Sequence, residues 1–235
     1  MVRKFTGQDG AEKLQLRLDL GLLQMNVEGR PDGKRPYGHD SLLDHYRALR
    51  DNPSKPPPGV EGGFELQAED CAELQLEAMQ YHHRCLCLFQ LEEYSRAIQD
   101  AERNLAIFAF VMENAGTEEM IWPLLQFRPQ VLMMRTRSKC ALALRVNRFE
   151  NAIAVVESGL EEIRQFYREQ SRPDLLEHSD EIQVLENSLK EIRARRPLYK
   201  REKLEIALGE AVKREDYEKA AFFRDALRNL KTPQS

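Results

Sequence analysis

The chain has 235 residues, of which 42% are apolar and 31% are charged, and its formal net charge is −4 at pH 7. This apolar content can build a folded core, and the 12 Gly and 11 Pro residues are too few for a collagen-like or largely disordered chain. No apolar run approaches the roughly 18 residues that a membrane-spanning helix needs. The N-terminal residues are polar, and the 4 cysteines are too few for a disulfide framework. We therefore expect a cytoplasmic protein.

Residues 11–28 alternate apolar and polar side chains and therefore predict β structure. Leucines occupy every second position from Leu14 to Leu20, and the alternation resumes on the opposite parity at Leu23. A period of two is typical of strands, and the change of parity indicates a β-bulge. The helical alternative stays open, because Leu14 and Leu18 also share a helical spacing. An unpaired apolar strand here would favour dimerisation of the chain.

A turn and a short helix complete the N-terminal segment, residues 1–52. The sequence Arg-Pro-Asp-Gly at residues 30–33 has the composition of a turn, and either Asp40 or Ser41 can cap the helix that follows. Residues 53–65 contain three consecutive prolines and two adjacent glycines. This composition favours an extended linker between domains.

Residues 66–196 show apolar spacing typical of helices and a weak internal repeat. Tyr94 with Ala97 and Phe149 with Ala152 share an aromatic-x-x-Ala signature, which resembles tetratricopeptide-type hairpins. The two signatures lie 55 residues apart instead of the repeat's usual spacing of about 34, so an ordinary helical bundle remains the alternative. Helices are predicted at about 67–90, 92–113, 129–146, 148–169 and 179–195, with a short helix after Thr117.

Residues 197–235 contain two apolar stripes at helical spacing, which predict a C-terminal helical hairpin. The stripes are Leu204, Leu208, Ala211 and Val212 on the first helix, and Tyr217, Ala220, Ala221, Phe223, Leu227 and Leu230 on the second. Alanines at the crossing allow the helices to pack closely. Glu215 and Asp216 are predicted to turn the chain and cap the second helix, and Glu215 is spaced for an ion pair with Lys219. A hairpin of this size buries too little surface to be stable by itself, so it must pack on another surface.

This hairpin closely resembles the UVR motif, which is shared by the excision-repair proteins UvrB and UvrC, by Clp-type unfoldases and by the McsA stress adaptor. The resemblance is carried by Leu204, Leu208, Ala211, Val212, Glu215, Asp216, Tyr217, Glu218, Ala220, Ala221, Arg224, Asp225, Leu227 and Leu230. It covers about 32 of the 235 residues. The resemblance implies a protein-interaction module that docks to a matching hairpin on a partner or on a second copy of the chain.

Phe222 departs from the UVR pattern, because the family usually has a charged or polar residue there. If this side chain faces solvent, it widens the apolar contact surface. The expected partner-binding residues are Leu204, Leu208, Tyr217, Ala220, Ala221, Phe222, Phe223, Arg224, Leu227 and Leu230.

These patterns together predict a mainly α protein. Tetratricopeptide-like helical hairpins are followed by a UVR hairpin, and a small N-terminal β-arm with one helix precedes them. We expect a non-catalytic adaptor or scaffold with a protein partner, which is another UVR protein or the chain itself as a homodimer, and with no membrane contact. The abundant carboxylates lie on predicted helix faces with Arg partners, so we interpret them as solvated surface. We find no catalytic constellation, and we expect no enzymatic activity and no cofactor.

Two alternatives stay open. The first is an accessory factor of nucleotide excision repair that contacts DNA through the basic segment 193–203. Its candidate contacts are Arg193, Arg195, Arg196, Lys200 and Arg201. The acidic stretch 67–180 argues against a large nucleic-acid surface, because phosphate contacts need Lys and Arg.

The second alternative is a metal-binding stress or proteolysis adaptor. It would use the cluster His82, His83, Cys85 and Cys87. The His82/Cys85 and His83/Cys87 pairs point to different sides of a helix, whereas a structural zinc needs four convergent ligands. Buried cysteines are therefore the simpler interpretation, and we expect no metal.

Overall fold

The computed structural model describes residues 1–52, 64–197 and 200–231, without the side chains of residues 173, 200–202 and 229–231. Most of the predicted linker, residues 53–63, lies outside the described residues. The chain divides into two compact units, Met1–Ile192 and Arg193–Ser235. The protein is mainly α, as predicted. None of the helices in the described ranges combines the length and the hydropathy that a membrane span requires.

The first unit begins with a three-stranded antiparallel sheet in the order β1-β2-β3. Its strands are β1 (Val2–Thr6), β2 (Glu12–Leu18) and β3 (Gly21–Asn26). The strand prediction is therefore confirmed, but the predicted β-bulge is wrong. The change of parity comes from a two-residue turn, since Leu18 pairs with Gly21 across residues 19–20. Leu14 and Met25 are paired and buried, and β2 packs on helix α2 (Ala68–Gln90).

A short helix, α1 (Leu42–Asp51), follows the sheet, and its N-cap is Ser41. The Ser41 hydroxyl accepts a hydrogen bond from the backbone N–H of Asp44 at 3.0 Å and donates one to its carboxylate at 2.6 Å. The fully buried carboxylate of Glu77 also accepts a bond from the N–H of Leu42 at 2.8 Å. A side chain of α2 therefore satisfies a helix N-terminus that is 35 residues away in sequence.

Most of the first unit is a helical array that extends from α2. Its other helices are α3 (Tyr94–Asn114), α4 (Glu118–Leu125), α5 (Arg128–Arg145), α6 (Phe149–Glu169), α7 (Pro173–Glu177) and α8 (Asp180–Arg195). Helix α3 packs on both α2 and α5, and α5 packs on α6. The aromatic-x-x-Ala signatures begin α3 and α6, and Ala97 and Ala152 are completely buried. The tetratricopeptide assignment itself stays a prediction.

Several helices, in both units, end with the same closure. A residue with positive φ follows the helix, and the next N–H bonds the carbonyl five residues earlier, as in a Schellman motif. In the first unit the left-handed residues are Glu92 (φ 60°), Asn147 (φ 55°) and Ser171 (φ 52°), and the closing bonds are Glu93 to Leu88 (2.9 Å), Arg148 to Ala143 (2.9 Å) and Arg172 to Tyr167 (3.0 Å). Residues other than glycine hold these strained positions.

The side chain of Arg84 lies buried between the sheet and the helices. Its guanidinium makes two hydrogen bonds to the Asp100 carboxylate, at 2.9 and 2.7 Å, which form a bidentate pair. Its Nη1 donates to the backbone carbonyls of Asn26 at 3.1 Å and Gly29 at 2.7 Å. The guanidinium also lies 5.1 Å from the ring centre of Tyr81. One side chain therefore joins α2 and α3 to the last residue of β3 and to the segment that follows it.

The interpretation of the carboxylates as solvated surface is wrong for Glu77 and Asp100. Glu77 is 0% exposed and Asp100 is 4% exposed. Burial raises the pKa of Glu77, and the N–H of Leu42 and the Arg30 guanidinium oppose that rise. Both carboxylates are tolerated in the core because buried donors face them.

Candidate interaction site

The second unit contains a helical hairpin formed by α9 (Lys200–Lys213) and α10 (Tyr217–Lys231). Its turn repeats the closure of the first unit: Glu215 has φ 59°, and the N–H of Asp216 bonds the carbonyl of Ala211 at 2.9 Å. The Asp216 carboxylate caps α10 by accepting a bond from the N–H of Lys219 at 3.2 Å. The predicted Glu215–Lys219 ion pair is wrong, because the ammonium of Lys219 binds Asp216 at 2.7 Å instead.

The two helices cross at small residues. Ala211 of α9 is 6% exposed and Ala220 of α10 is 8% exposed, which agrees with the predicted close crossing. Leu204, Leu208, Ala221, Phe223 and Leu227 are half-buried. Leu230 is in α10, but its side chain is outside the described set. The half-buried leucines flank the crossing and hold the hairpin together.

Several apolar side chains of the hairpin face solvent. The exposed fractions are 71% for Tyr217, 68% for Phe222, 53% for Val212 and 49% for Ile206. The placement of Tyr217 and Val212 in the packed stripes is therefore wrong. Tyr217 is the first residue of α10 and lies beyond the alanine crossing, which leaves its ring uncovered. The Phe222 ring meets the half-buried Phe223 ring edge to face at 5.5 Å.

The exposed apolar residues of the hairpin are only partly the partner-binding residues that the sequence predicted. Phe222 faces solvent, so the residue that departs from the UVR pattern does enlarge the apolar surface. Arg224 is also exposed and forms an ion pair with Asp225 at 2.9 Å. Ile206 was not among the predicted contacts. Its apolar character two residues from both Leu204 and Leu208, and so off the stripe that these leucines share, is the sequence signal that could have found it.

The basic candidates for DNA contact fall in two places. Arg193 and Arg195 are exposed at the end of α8, and Arg196 is half-buried. Lys200 and Arg201 begin α9, and their side chains belong to those that are not described. These residues therefore form no defined phosphate-binding geometry among the described side chains.

In the His82–Cys87 cluster, Cys85 and Cys87 are buried in the helical array, and His82 and His83 are half-buried. Burial raises the pKa of the Cys85 thiol to about 12 and that of Cys87 to about 11, so both are protonated at neutral pH. The Cys85 thiol donates a hydrogen bond to the carbonyl of Ala97 at 3.3 Å. Burial also lowers the pKa of His82 to about 4. No group of three or more His, Cys, Asp or Glu side chains within the described ranges is arranged to hold a metal ion.

These features define a mainly α protein whose C-terminal unit contains a two-helix hairpin with two exposed aromatic rings, those of Tyr217 and Phe222. A family model described as the UvrB/uvrC motif, UVR, matches residues 200–232. The chain therefore carries a UVR motif, as the resemblance predicted, and such motifs commonly mediate protein–protein interaction. No curated protein and no solved structure matches the chain.

Proposed function

We propose that the protein is a non-catalytic adaptor that binds a protein partner through its UVR hairpin. The observation that carries this proposal is the exposure of Phe222 and Tyr217 on a hairpin whose family commonly mediates protein interaction. Aromatic side chains are enriched among the residues that dominate binding energy at interfaces. These two exposed rings are therefore the parts of the hairpin that gain most from a partner.

The energetic argument agrees with this role. A large aromatic side chain buries about 150–250 Å² when it is covered, and each Å² of apolar surface contributes about 25 cal/mol. Covering the two exposed rings would therefore contribute several kcal/mol before the costs of association are subtracted. A second hairpin of the same kind is a suitable partner: a second copy of this chain would expose the same two rings, whereas another UVR protein would usually have a polar residue at the position of Phe222. That hairpin belongs to another UVR protein or to a second copy of this chain.

The helical array completes the proposed adaptor. Its hairpins, α2 with α3 and α5 with α6, stack through α3 and α5 into a continuous array, and arrays of this type present extended surfaces to proteins or peptides. The hairpin would then recruit one partner while the array holds another.

The test uses the full-length protein with Phe222→Asp and, as a matched control, Leu20→Asp. Leu20 is completely exposed at the turn between β2 and β3, so its variant adds the same charge at an exposed apolar site outside the hairpin. Self-association is measured by sedimentation velocity. Binding to other UVR proteins is measured by capture from a lysate of the source organism and mass spectrometry.

We expect Phe222→Asp to lose self-association or the captured UVR protein, and Leu20→Asp to retain it. Leu227→Asp should also abolish association, but its half-buried side chain makes Phe222→Asp the cleaner variant. Association that is unchanged in Phe222→Asp would contradict the proposal. A salt-sensitive gel shift with damaged DNA would favour the excision-repair alternative, because phosphate contacts weaken steeply with salt.

A further inference from the structure

A polar cavity of about 250 Å³ lies in the first unit, where the segment after β3 meets α2 and α3. Val27 and Leu88 form an apolar part of its wall. Its charged lining residues are three arginines and three carboxylates, namely Arg84, Arg96, Arg103, Glu28, Asp40 and Asp100. The lining therefore carries many charges but no net charge. Most small-molecule sites are larger and mainly apolar, so this cavity suits a small polar molecule.

The solvent side of the cavity carries two carboxylates. The side chains of Glu28 and Asp40 are 78% and 80% exposed. Glu28 forms an ion pair with Arg96, and Asp40 forms one with Arg35 at 2.7 Å. A carboxylate has about four acceptor positions, so each of these groups can accept a further bond from a cation.

The inner side of the cavity carries a hydroxyl without a partner. Tyr81 is 3% exposed, and none of the described residues makes a hydrogen bond with its hydroxyl. This oxygen is not one of the fully enclosed polar atoms, so it can be reached from the cavity that Tyr81 lines. Burial raises the pKa of Tyr81 to about 12, so the hydroxyl keeps its proton and can donate it. A ligand that brings an acceptor would satisfy this donor.

Arg103 offers a second donor beside Tyr81. Its guanidinium carbon lies 5.0 Å from the centre of the Tyr81 ring. Its Nη2 binds the Ser41 hydroxyl and the Asp44 carboxylate, and its Nε is enclosed. Its Nη1 is not enclosed and has no partner among the described residues, so it is the nitrogen that Arg103 offers to the cavity. A guanidinium and a hydroxyl together favour a carboxylate, because hydrogen bonds to an ionised acceptor are the stronger ones.

We propose that this cavity binds a small zwitterion of the amino-acid class. The ligand's carboxylate accepts hydrogen bonds from the Tyr81 hydroxyl and from Arg103 Nη1, and its ammonium faces the carboxylates of Glu28 and Asp40. A ligand with both charges matches a lining with both charges and no net charge, whereas a simple anion would meet two carboxylates at the solvent side without compensation. The apolar part of the wall covers an apolar side chain.

The first experiment titrates the full-length protein with three probes of one carbon skeleton, by ligand-observed NMR. L-leucine carries both charges, 4-methylpentanoate lacks the ammonium, and leucinamide lacks the carboxylate. We expect leucine to bind about tenfold more tightly than either of the others, because each of them loses one charged contact. No binding of leucine at millimolar concentration would overturn the site. Equal binding of leucinamide would overturn the role of the two donors, and equal binding of 4-methylpentanoate would overturn the zwitterion assignment.

A second experiment removes only the unpartnered hydroxyl. Tyr81→Phe should weaken leucine binding about tenfold and should not lower the free energy of unfolding, because no hydrogen bond within the protein is lost. Tyr37→Phe is the matched control, since Tyr37 is exposed and is not among the described residues that line this cavity. It should retain leucine binding. Unchanged binding in Tyr81→Phe would place the ligand elsewhere, and a less stable Tyr81→Phe protein would mean that the hydroxyl already has a partner; either result overturns the assignment.

A third experiment examines the ammonium end of the ligand. Asp40→Asn should weaken the binding of leucine but not that of 4-methylpentanoate, because only leucine carries an ammonium. An equal loss for both probes would overturn the role of Asp40. The inference uses only residues of the first unit and does not depend on the hairpin proposal. Phe222→Asp should therefore bind leucine like the wild type, and the two proposals can fail separately.

Discussion

The buried charges of the first unit are few and closely paired. Arg84 and Asp100 have almost no solvent exposure and pair with each other, and Arg84 also contacts backbone carbonyls and the Tyr81 ring. Removal of one partner of a buried pair leaves an uncompensated charge, which costs far more than the pair itself contributes. The stability of the unit should therefore depend strongly on this one contact.

Arg84→Met should lower the free energy of unfolding by about 3–5 kcal/mol, because it leaves the Asp100 carboxylate buried without its cation. Arg145→Met is the control, since the Arg145–Glu92 ion pair at 3.0 Å is exposed and such pairs contribute about 0–1 kcal/mol. Urea unfolding of the full-length protein measures both. The double variant Arg84→Met/Asp100→Leu should recover much of the loss. If Arg84→Met and Arg145→Met lowered the free energy of unfolding equally, the stability would not depend specifically on the buried pair.

The lowered pKa of His82 leads to a separate prediction about how the stability of the protein depends on pH. Burial lowers its pKa from 6.5 to about 4, so the unfolded chain binds a proton at mildly acidic pH while the folded protein does not. The stability from this group is fully present above pH 6.5 and is lost as the pH falls toward about 4. Between pH 7 and pH 5 we expect a loss of about 1–2 kcal/mol.

Urea unfolding at the two pH values measures this loss. His82→Gln should lose correspondingly less stability than the wild type over the same interval, because Gln does not titrate. An identical pH dependence in the two proteins would show that His82 is accessible to protons in the folded state.

At the scale of elements, the recurring helix closure stands out because no glycine forms it. The left-handed conformation costs a residue with a Cβ about 1–2 kcal/mol. Glu92, Asn147, Ser171 and Glu215 all adopt it, and Asn is the type among them that tolerates it best. The strain is therefore largest where a glutamate occupies the position.

Glu92→Gly should raise the free energy of unfolding by about 0.5–1 kcal/mol, because glycine adopts positive φ without strain and only part of the gain is lost to its freedom in the unfolded chain. Glu92→Ala is the matched control: it also removes the ion pair with Arg145 but keeps the Cβ. Thermal and urea unfolding compare the two. A Glu92→Ala variant as stable as Glu92→Gly would show that the side chain, and not the backbone, sets the stability.

Periodicity predicted the long helices well, because an apolar stripe at helical spacing is a local signal. It missed β1 and the five-residue helix α7, since neither is long enough to show a period. The turn at residues 19–20 was mistaken for a bulge because it lacks the glycine or asparagine that usually marks a two-residue hairpin. The helix closures at Glu92, Ser171 and Glu215 were missed for the same reason.

At the scale of the whole molecule, the hairpin could be predicted from the sequence, but the buried polar contacts between the helices of the first unit could not. The hairpin is local, so its alanine crossing and its capping aspartate could be read from neighbouring positions. Neighbouring positions did not show which apolar residues face solvent, and the predicted placement of Tyr217 and Val212 was wrong. Asn104 looks like any surface asparagine until α2 and α3 are packed together, which buries it and lets its Nδ2 donate to the carbonyl of Ala78.

The contacts of Arg84 also imply an order of folding. Its bond to Asp100 spans 16 residues within one helical hairpin, whereas its bonds to Gly29 and Asn26 span 55 and 58 residues. Contacts between nearby residues close faster than those that require long loops. We therefore expect α2 and α3 to pair first and to present the guanidinium to the carbonyls after β3. The N-terminal segment precedes its binding surface in the chain and acquires a stable position only after that surface has formed.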